Sequence, residues 1–269
     1  MLPMGTSSPV LSSSLYIVYW CVSLTRVVLP EAKLFRDLIE TIGNIADEVS
    51  LVLTGDGLSI KALDVDQTSL VDVLIPREMF LEYDVGEAVN IGVSINNLKR
   101  VLRHIKKGEN LSIELEGDYA KFSIGAGGVV SRVFKFRNLD VPVPELPELS
   151  INYTVNAKLM AQSLKKVIED IEAVGGSTQI KATQDAIVFK SIGAGKLEVR
   201  FAQGSLALIS LEVSEPAEGV YDTSKLVNIL GVARVSDIVS LQFATKNPLK
   251  AEFSIGPGRV VYLLAPFEA

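Results

Sequence analysis

The chain has 269 residues, long for one domain and comfortable for two, with 48% hydrophobic and 22% charged residues; this balance supports a substantial core and excludes a disordered chain. One cysteine, Cys21, excludes an intramolecular disulfide framework and fits a reducing cytoplasm. The net charge of −6 argues against nucleic acid only as a sum, because an acidic chain can still gather its lysines and arginines on one surface.

The first segment differs from the rest. Met1 to Ser14 is rich in Ser and Pro, and an apolar run follows from Leu15 to Cys21. No Lys or Arg precedes Arg26, so the positive region of a signal peptide is missing. The run is shorter than the roughly 20 residues a membrane span needs. The expectation is that 1–23 is a disordered extension or the product of a start assigned too far upstream, with the working protein beginning near Leu24. Peptide mapping of the native N-terminus checks this.

The elements then follow in chain order. Apolar spacing predicts a helix over Glu31 to Ile42 and strands over Ser50 to Thr54, Leu58 to Leu63 and Ser69 to Ile75. A second helix is predicted over Ser94 to Ile105, with strands Leu111 to Leu115 and Val129 to Phe136 closing the half. Asn138 to Ser150 carries Pro142, Pro144 and Pro147, the composition of an extended, stiff connector that cannot join a sheet ladder. Helices over Ala157 to Ile171 and Thr223 to Leu230 repeat the plan beyond it. Strand runs with two helices per half predict an α+β fold.

The halves also share words. Phe122 to Val130 recurs as Phe253 to Val261 with seven of nine positions identical. Ala32-Lys-Leu34 recurs as Ala157-Lys-Leu159, Leu98 and Leu102 as Leu226 and Leu230, and Asp56 to Lys61 loosely as Asp185 to Lys190. The order is kept throughout, which predicts an internal duplication: one domain over 24–137, a connector over 138–150, and a second domain over 151–269.

Helical phase places Ile95, Leu98, Val101, Leu102 and Ile105 on one side of the second helix. Arg100, Arg103 and Lys107 centre on the other side, with Lys99 and His104 at its edges. Ser94 to Lys107 holds five Lys/Arg and no acid. Such a stripe is a solvated face or a contact for phosphates, which gives sequence-independent, salt-sensitive binding. Ala157 to Ile171 turns Lys158, Gln162, Lys165, Lys166 and Glu169 outward; the first helix exposes Lys33 and Arg36 beside Asp37 and Glu40; the fourth offers only Lys225 and Asn228. No aromatic residue interleaves with these cations, which argues against single-strand stacking.

Catalytic constellations are hard to find. His104 lies among lysines, and no second His or Cys supplies metal-ligand spacing. Gly193-Ala-Gly195-Lys196 lacks the first Gly and final Ser/Thr of a phosphate loop, and Gly125-Ala-Gly127-Gly128 lacks the last Gly of a dinucleotide fingerprint. Both read as hairpin turns. Asp64 and Asp66 read as a loop after a strand. No cofactor and no metal are expected.

Five segments in order carry a resemblance: Asp56 to Asp64, Ser69 to Val71, Pro76 to Phe80, Asn138 to Val141, and the terminal Tyr262-Leu-Leu-Ala-Pro266. Over about Leu24 to Phe267 the chain resembles the proliferating cell nuclear antigen family of DNA sliding clamps, archaeal type. The resemblance implies a non-enzymatic cytoplasmic, nucleoid-associated protein with no membrane contact. It implies a three-subunit ring of six similar domains around duplex DNA, with helices lining the hole and sheets outside. Arg36, Arg100, Arg103 and Lys166 fall at hole-lining positions, and Lys33, Lys107 and Lys165 join them by helical phase. Gly231 departs from the family at a usually basic place, so contact around the hole is expected to be uneven.

A pocket for partner peptides is implied at Leu63, Gln67 and Leu70, at Pro144, Leu146 and Pro147 of the connector, and at Pro248, Leu263, Ala265 and Pro266. The implied partners are a DNA polymerase, a clamp loader, a ligase and a flap endonuclease. Val129 to Phe136 would pair with Lys196 to Phe201 of a neighbouring subunit. Two other readings stay open here: a subunit restricted to a mixed or checkpoint-type ring, and an unrelated duplicated α+β enzyme, which would need a catalytic constellation.

Overall fold

The structure is a computed structural model and describes residues 25–145 and 151–267. The first half runs β1 (Thr25–Leu29), α1 (Ala32–Ile42), β2 (Glu48–Thr54), β3 (Gly57–Leu63), β4 (Ser69–Pro76), β5 (Glu82–Asp84), β6 (Val89–Ser94), α2 (Ile95–Leu102), β7 (Asn110–Glu116), β8 (Tyr119–Ala126) and β9 (Val129–Arg137). The second half runs β10 (Val155–Met160), α3 (Ala161–Val174), β11 (Ser177–Thr183), β12 (Ala186–Ile192), β13 (Glu198–Ala202), β14 (Leu208–Val213), β15 (Ala217–Tyr221), α4 (Thr223–Ile229), β16 (Ile238–Phe243), β17 (Leu249–Ile255) and β18 (Gly258–Leu264). The order of elements is the same twice.

The pairing is also the same twice. The first half pairs as β5-β1-β7-β8-β9 and β4-β3-β2-β6; the second pairs as β14-β10-β16-β17-β18 and β13-β12-β11-β15. All pairs are antiparallel. One pairing joins the halves: β18 runs beside β4 with Val260 opposite Val73, Tyr262 opposite Val71 and Leu263 opposite Leu70, making one nine-stranded sheet.

Period-two alternation turns one face of the sheets toward the helices. Ile60, Val71, Val73, Val260 and Tyr262 are fully covered there. The helices bury matching stripes, such as Phe35, Leu38, Ile39 and Ile42 on α1 and Ile95, Leu98, Val101 and Leu102 on α2. Helix α1 packs on α2, α3 on α4, and α1 also touches α4 and the 3-10 turn Leu230–Arg234 that follows it. All four helices therefore lie on one side.

Two sequence readings need correction. Ala157 to Met160 belongs to β10 and not to a helix; Val155, Ala157 and Leu159 are buried alternately, so a strand period wins over the helical one. Helix α3 starts at Ala161, whose amide donates to the Asp237 carbonyl as that of Ala32 donates to Glu109. Ala161 is thus the true counterpart of Ala32, and the Ala-Lys-Leu match is fortuitous. The nine-residue match is also out of step. Ile113 faces Phe122, while its counterpart Leu241 faces Ala251. Phe122 is therefore equivalent to Ala251, two residues before Phe253. A shift of two keeps the inward face, which is why the words look alike.

Gly231 has a packing reason. A Cβ there would collide with Thr41 Oγ1 of α1. The absence of a side chain lets the turn after α4 approach the first half. Replacing Gly231 with Ala is expected to cost about 1–3 kcal/mol through overpacking, read as a lower urea midpoint at fixed protein concentration; an unchanged midpoint would contradict the close approach.

Candidate functional site

The basic stripe sits at and beyond the C-terminal end of α2. The helix ends at Leu102, earlier than the apolar spacing suggests. Gly108 takes a left-handed φ of 81°, and Glu109 accepts the Lys106 amide at 2.7 Å. Lys107 therefore lies on a turn. Arg132 of β9 closes this end, reaching the His104 carbonyl at 3.1 Å and the Glu109 carboxylate at 2.6 Å. The Lys106 amide, opposed by burial and helped by Arg132, holds the Glu109 carboxyl below its usual range. Arg100, Arg103 and Lys107 are exposed. Among the described residues Arg100 meets only the neutral Asn97, at 3.0 Å, and Arg103 and Lys107 form no ion pair.

Most of the other expected cations are less free. Arg36 gives Nε and Nη2 to Asp37 Oδ1 at 3.0 and 2.8 Å and lies 3.8 Å from Glu40. Lys165 stands 3.6 Å from Glu169, and Lys166 stands 4.0 Å from Asp170. Lys33 is exposed at the start of α1. Lys158, read as part of a helix, projects from β10. Lys225, the cation of α4, is turned away entirely: its ammonium meets Asp64, Asp66 and Thr68 of the β3–β4 loop. Sequence reading missed this partner. The hint lies in a pair of aspartates, Asp64 and Asp66, in the loop after a strand.

The other cluster lies on the sheet face opposite the helices. Leu63, Leu70 and Leu263 stand directly opposite one another across β3, β4 and β18. Residues nearly 200 positions apart therefore form one apolar row. Leu70 is buried, while Leu63 and Leu263 are half-buried. Gln67 is exposed on the loop beside the row with a left-handed φ of 56°. The Ala265 amide donates to the Thr68 carbonyl at 2.8 Å, which brings the chain end to that loop. Pro144, Pro248 and Pro266 are half-buried; Leu146 and Pro147 lie outside the described residues.

The connector starts from a fixed point. Asn138 Oδ1 accepts the Gly92 amide at 2.7 Å, and the Leu139 amide donates to the Gly92 carbonyl at 3.0 Å. A Cβ at Gly92 would meet the Leu139 carbonyl. Among the described residues no group of three or more His, Cys, Asp or Glu is placed to hold a metal ion, and no helix is long and apolar enough to cross a membrane.

Residues 25–124 match the family model described as proliferating cell nuclear antigen, N-terminal domain. The chain is 36% identical to DNA polymerase sliding clamp 1 of Aeropyrum pernix over 88% of its length and 97% of that protein. It is 32% identical to the DNA polymerase sliding clamp of Thermofilum pendens, over 90% of this chain and 99% of that one. The fold is similar to a crystal structure of the PCNA2–PCNA3 complex from Sulfolobus tokodaii, with a TM-score of 0.84 and 27% identity, covering 90% of this chain and 98% of that one. With its doubled architecture, its basic helix end and relatives at this identity over nearly their whole length, the chain belongs to the proliferating cell nuclear antigen family of DNA polymerase sliding clamps.

Proposed function

We propose that this protein is a sliding clamp that encircles duplex DNA as a trimeric ring and tethers replication and repair enzymes to it, without catalysis of its own. Residues 24–137 and 151–269 are the two clamp domains, and 138–150 is the connector. The observation that carries the reading is the β18–β4 joint between two equivalent halves. By the repeat, β9 is the counterpart of β18 and β13 that of β4, and both end their sheets. Val73 and Ile75 on β4 are fully buried at the joint, whereas their counterparts Val199 and Phe201 on β13 are only half-buried. Repeating the joint between subunits would cover them and leave neither edge open.

In such a ring the helices form the inner wall. Arg100, Arg103, Lys107 and the exposed Lys33 supply its free positive charge, with Arg36, Lys165 and Lys166 as partly neutralised contributors. Weak phosphate contacts permit sliding, while closure prevents escape. A DNA polymerase, clamp loader, ligase and flap endonuclease would dock on the Leu63, Leu70 and Leu263 row, with Gln67, Pro144, Pro248, Ala265 and Pro266 as further contacts; the family resemblance adds Leu146 and Pro147, which lie outside the described residues. A preformed apolar groove anchors a short helix or turn at low ordering cost.

Light scattering on the purified protein tests the assembly. A trimer is expected. A monomer that closes a ring only with related subunits would assign it to a mixed ring, and a monomer that associates with nothing would contradict the clamp. For the groove, Leu263→Ala is expected to weaken a polymerase-derived peptide about tenfold or more by calorimetry, from the lost apolar contact, while the trimer persists. Equal affinity would refute the groove.

A further inference from the structure

Helix α4 carries one cation, Lys225, at the family's channel side, yet its side chain is only 18% exposed. Its ammonium has three donors, and all three are used: Asp64 Oδ2 at 2.6 Å, Asp66 Oδ2 at 2.9 Å and Thr68 Oγ1 at 2.5 Å. These acceptors lie in the other half of the chain. Asp64 in turn winds the loop around itself, accepting the Thr68 amide at 2.8 Å and the Ser69 amide at 2.9 Å. The backbone of Lys225 holds a second point: its carbonyl accepts the Tyr262 hydroxyl at 2.8 Å. Tyr262 precedes Leu263, and Thr68 binds the Ala265 amide. One residue of α4 thus fixes both the β3–β4 loop and the strand beside the leucine row.

We infer that Lys225 is a positioning residue for partner binding: it holds the Gln67 rim of the groove from the helix side and takes no part in contacting DNA. This rests on the reading of the leucine row as the partner groove. Without the ammonium, Asp64 and Asp66 repel each other within a short loop, Gln67 loses its fixed left-handed geometry, and a docking peptide must order the rim itself. Burial pushes the Asp64 carboxyl up, but Lys225 and the two amides outweigh it and hold the carboxyl at about 2. Because that value is depressed, the link is complete above the ordinary carboxylate range near pH 4 and is lost as pH falls toward 2.

The test uses the full chain, calorimetry, and a synthetic peptide copying the clamp-contacting segment of the cognate DNA polymerase. Lys225→Met is expected to weaken the peptide about three- to tenfold. Adding Asp66→Ala should add little to that loss, and the trimer and the salt dependence of DNA retention should stay as in the parent. Lys225→Arg should restore part of the affinity. Asp66 is 72% exposed, so Asp66→Asn, expected to weaken the peptide in the same direction, keeps the idea testable if Lys225→Met folds poorly. If Leu263→Ala weakens the peptide but Lys225→Met and Asp66→Asn do not, the positioning role is overturned and the groove stands. If Lys225→Met loosens DNA and leaves the peptide unchanged, Lys225 is a channel cation and the proposal fails. If Leu263→Ala itself has no effect, the groove reading falls and takes this one with it.

Discussion

Reversing charge at Arg100 and Arg103 together (R100E, R103E) is expected to reduce polymerase stimulation about tenfold or more at moderate salt, while light scattering still reports a trimer. The two arginines are exposed, and neither has an acidic partner among the described residues. Their charge is therefore available to phosphates, and reversing it replaces attraction by repulsion at two places per subunit. Arg36→Glu should do less, because Asp37 and Glu40 already match that guanidinium. The salt slope of DNA retention should also flatten in the double variant. Stimulation unchanged at moderate salt would show that the α2 end does not face DNA.

Val133 gives the second large effect. It lies on β9 and is 50% exposed. By the repeat it is the counterpart of Val261, which faces Asp72 at the internal joint. Asp72 is the counterpart of Glu198: Lys61 faces Asp72 as Lys190 faces Glu198. A homotypic joint therefore sets Val133 opposite Glu198 of a neighbour. Val133→Glu places like charges directly opposite at a half-buried position of the joint and is expected to convert the trimer to monomer at micromolar concentration, a weakening of about tenfold or more per joint. Val133→Lys places a cation opposite Glu198 and should keep the trimer. Because the side chain is exposed in the subunit, both variants should melt cooperatively and alike when separated. Monomerisation by Lys as readily as by Glu would mean the register is wrong.

Much of this architecture is legible in the chain. Apolar spacing locates the four helices to within a few residues, strand periods locate five of the eighteen described strands, and Leu98 and Leu226 hold as buried counterparts in α2 and α4. The failures have physical causes. Ala157, Leu159, Ala161 and Leu164 satisfy strand and helix periods in succession, so the boundary between β10 and α3 is invisible to spacing alone. The Phe122 to Val130 match slid by two residues because a two-residue shift preserves the inward face of a strand. Other features live only in space. Gly231 answers to Thr41, and Lys225 answers to two aspartates far away in the chain. The leucine row follows from sheet register, which joins β18 to β4 across the halves. Family resemblance supplied that row; residue patterns in one half could not.

Topology distinguishes this account from ordinary DNA affinity. The protein, placed on nicked circular duplex by its clamp loader and washed in high salt, should stay bound, and one restriction cut should release it within minutes because the ring slides off the new ends. Release from the intact circle as fast as from the cut one would mean that nothing encircles the duplex and that the protein is no sliding clamp.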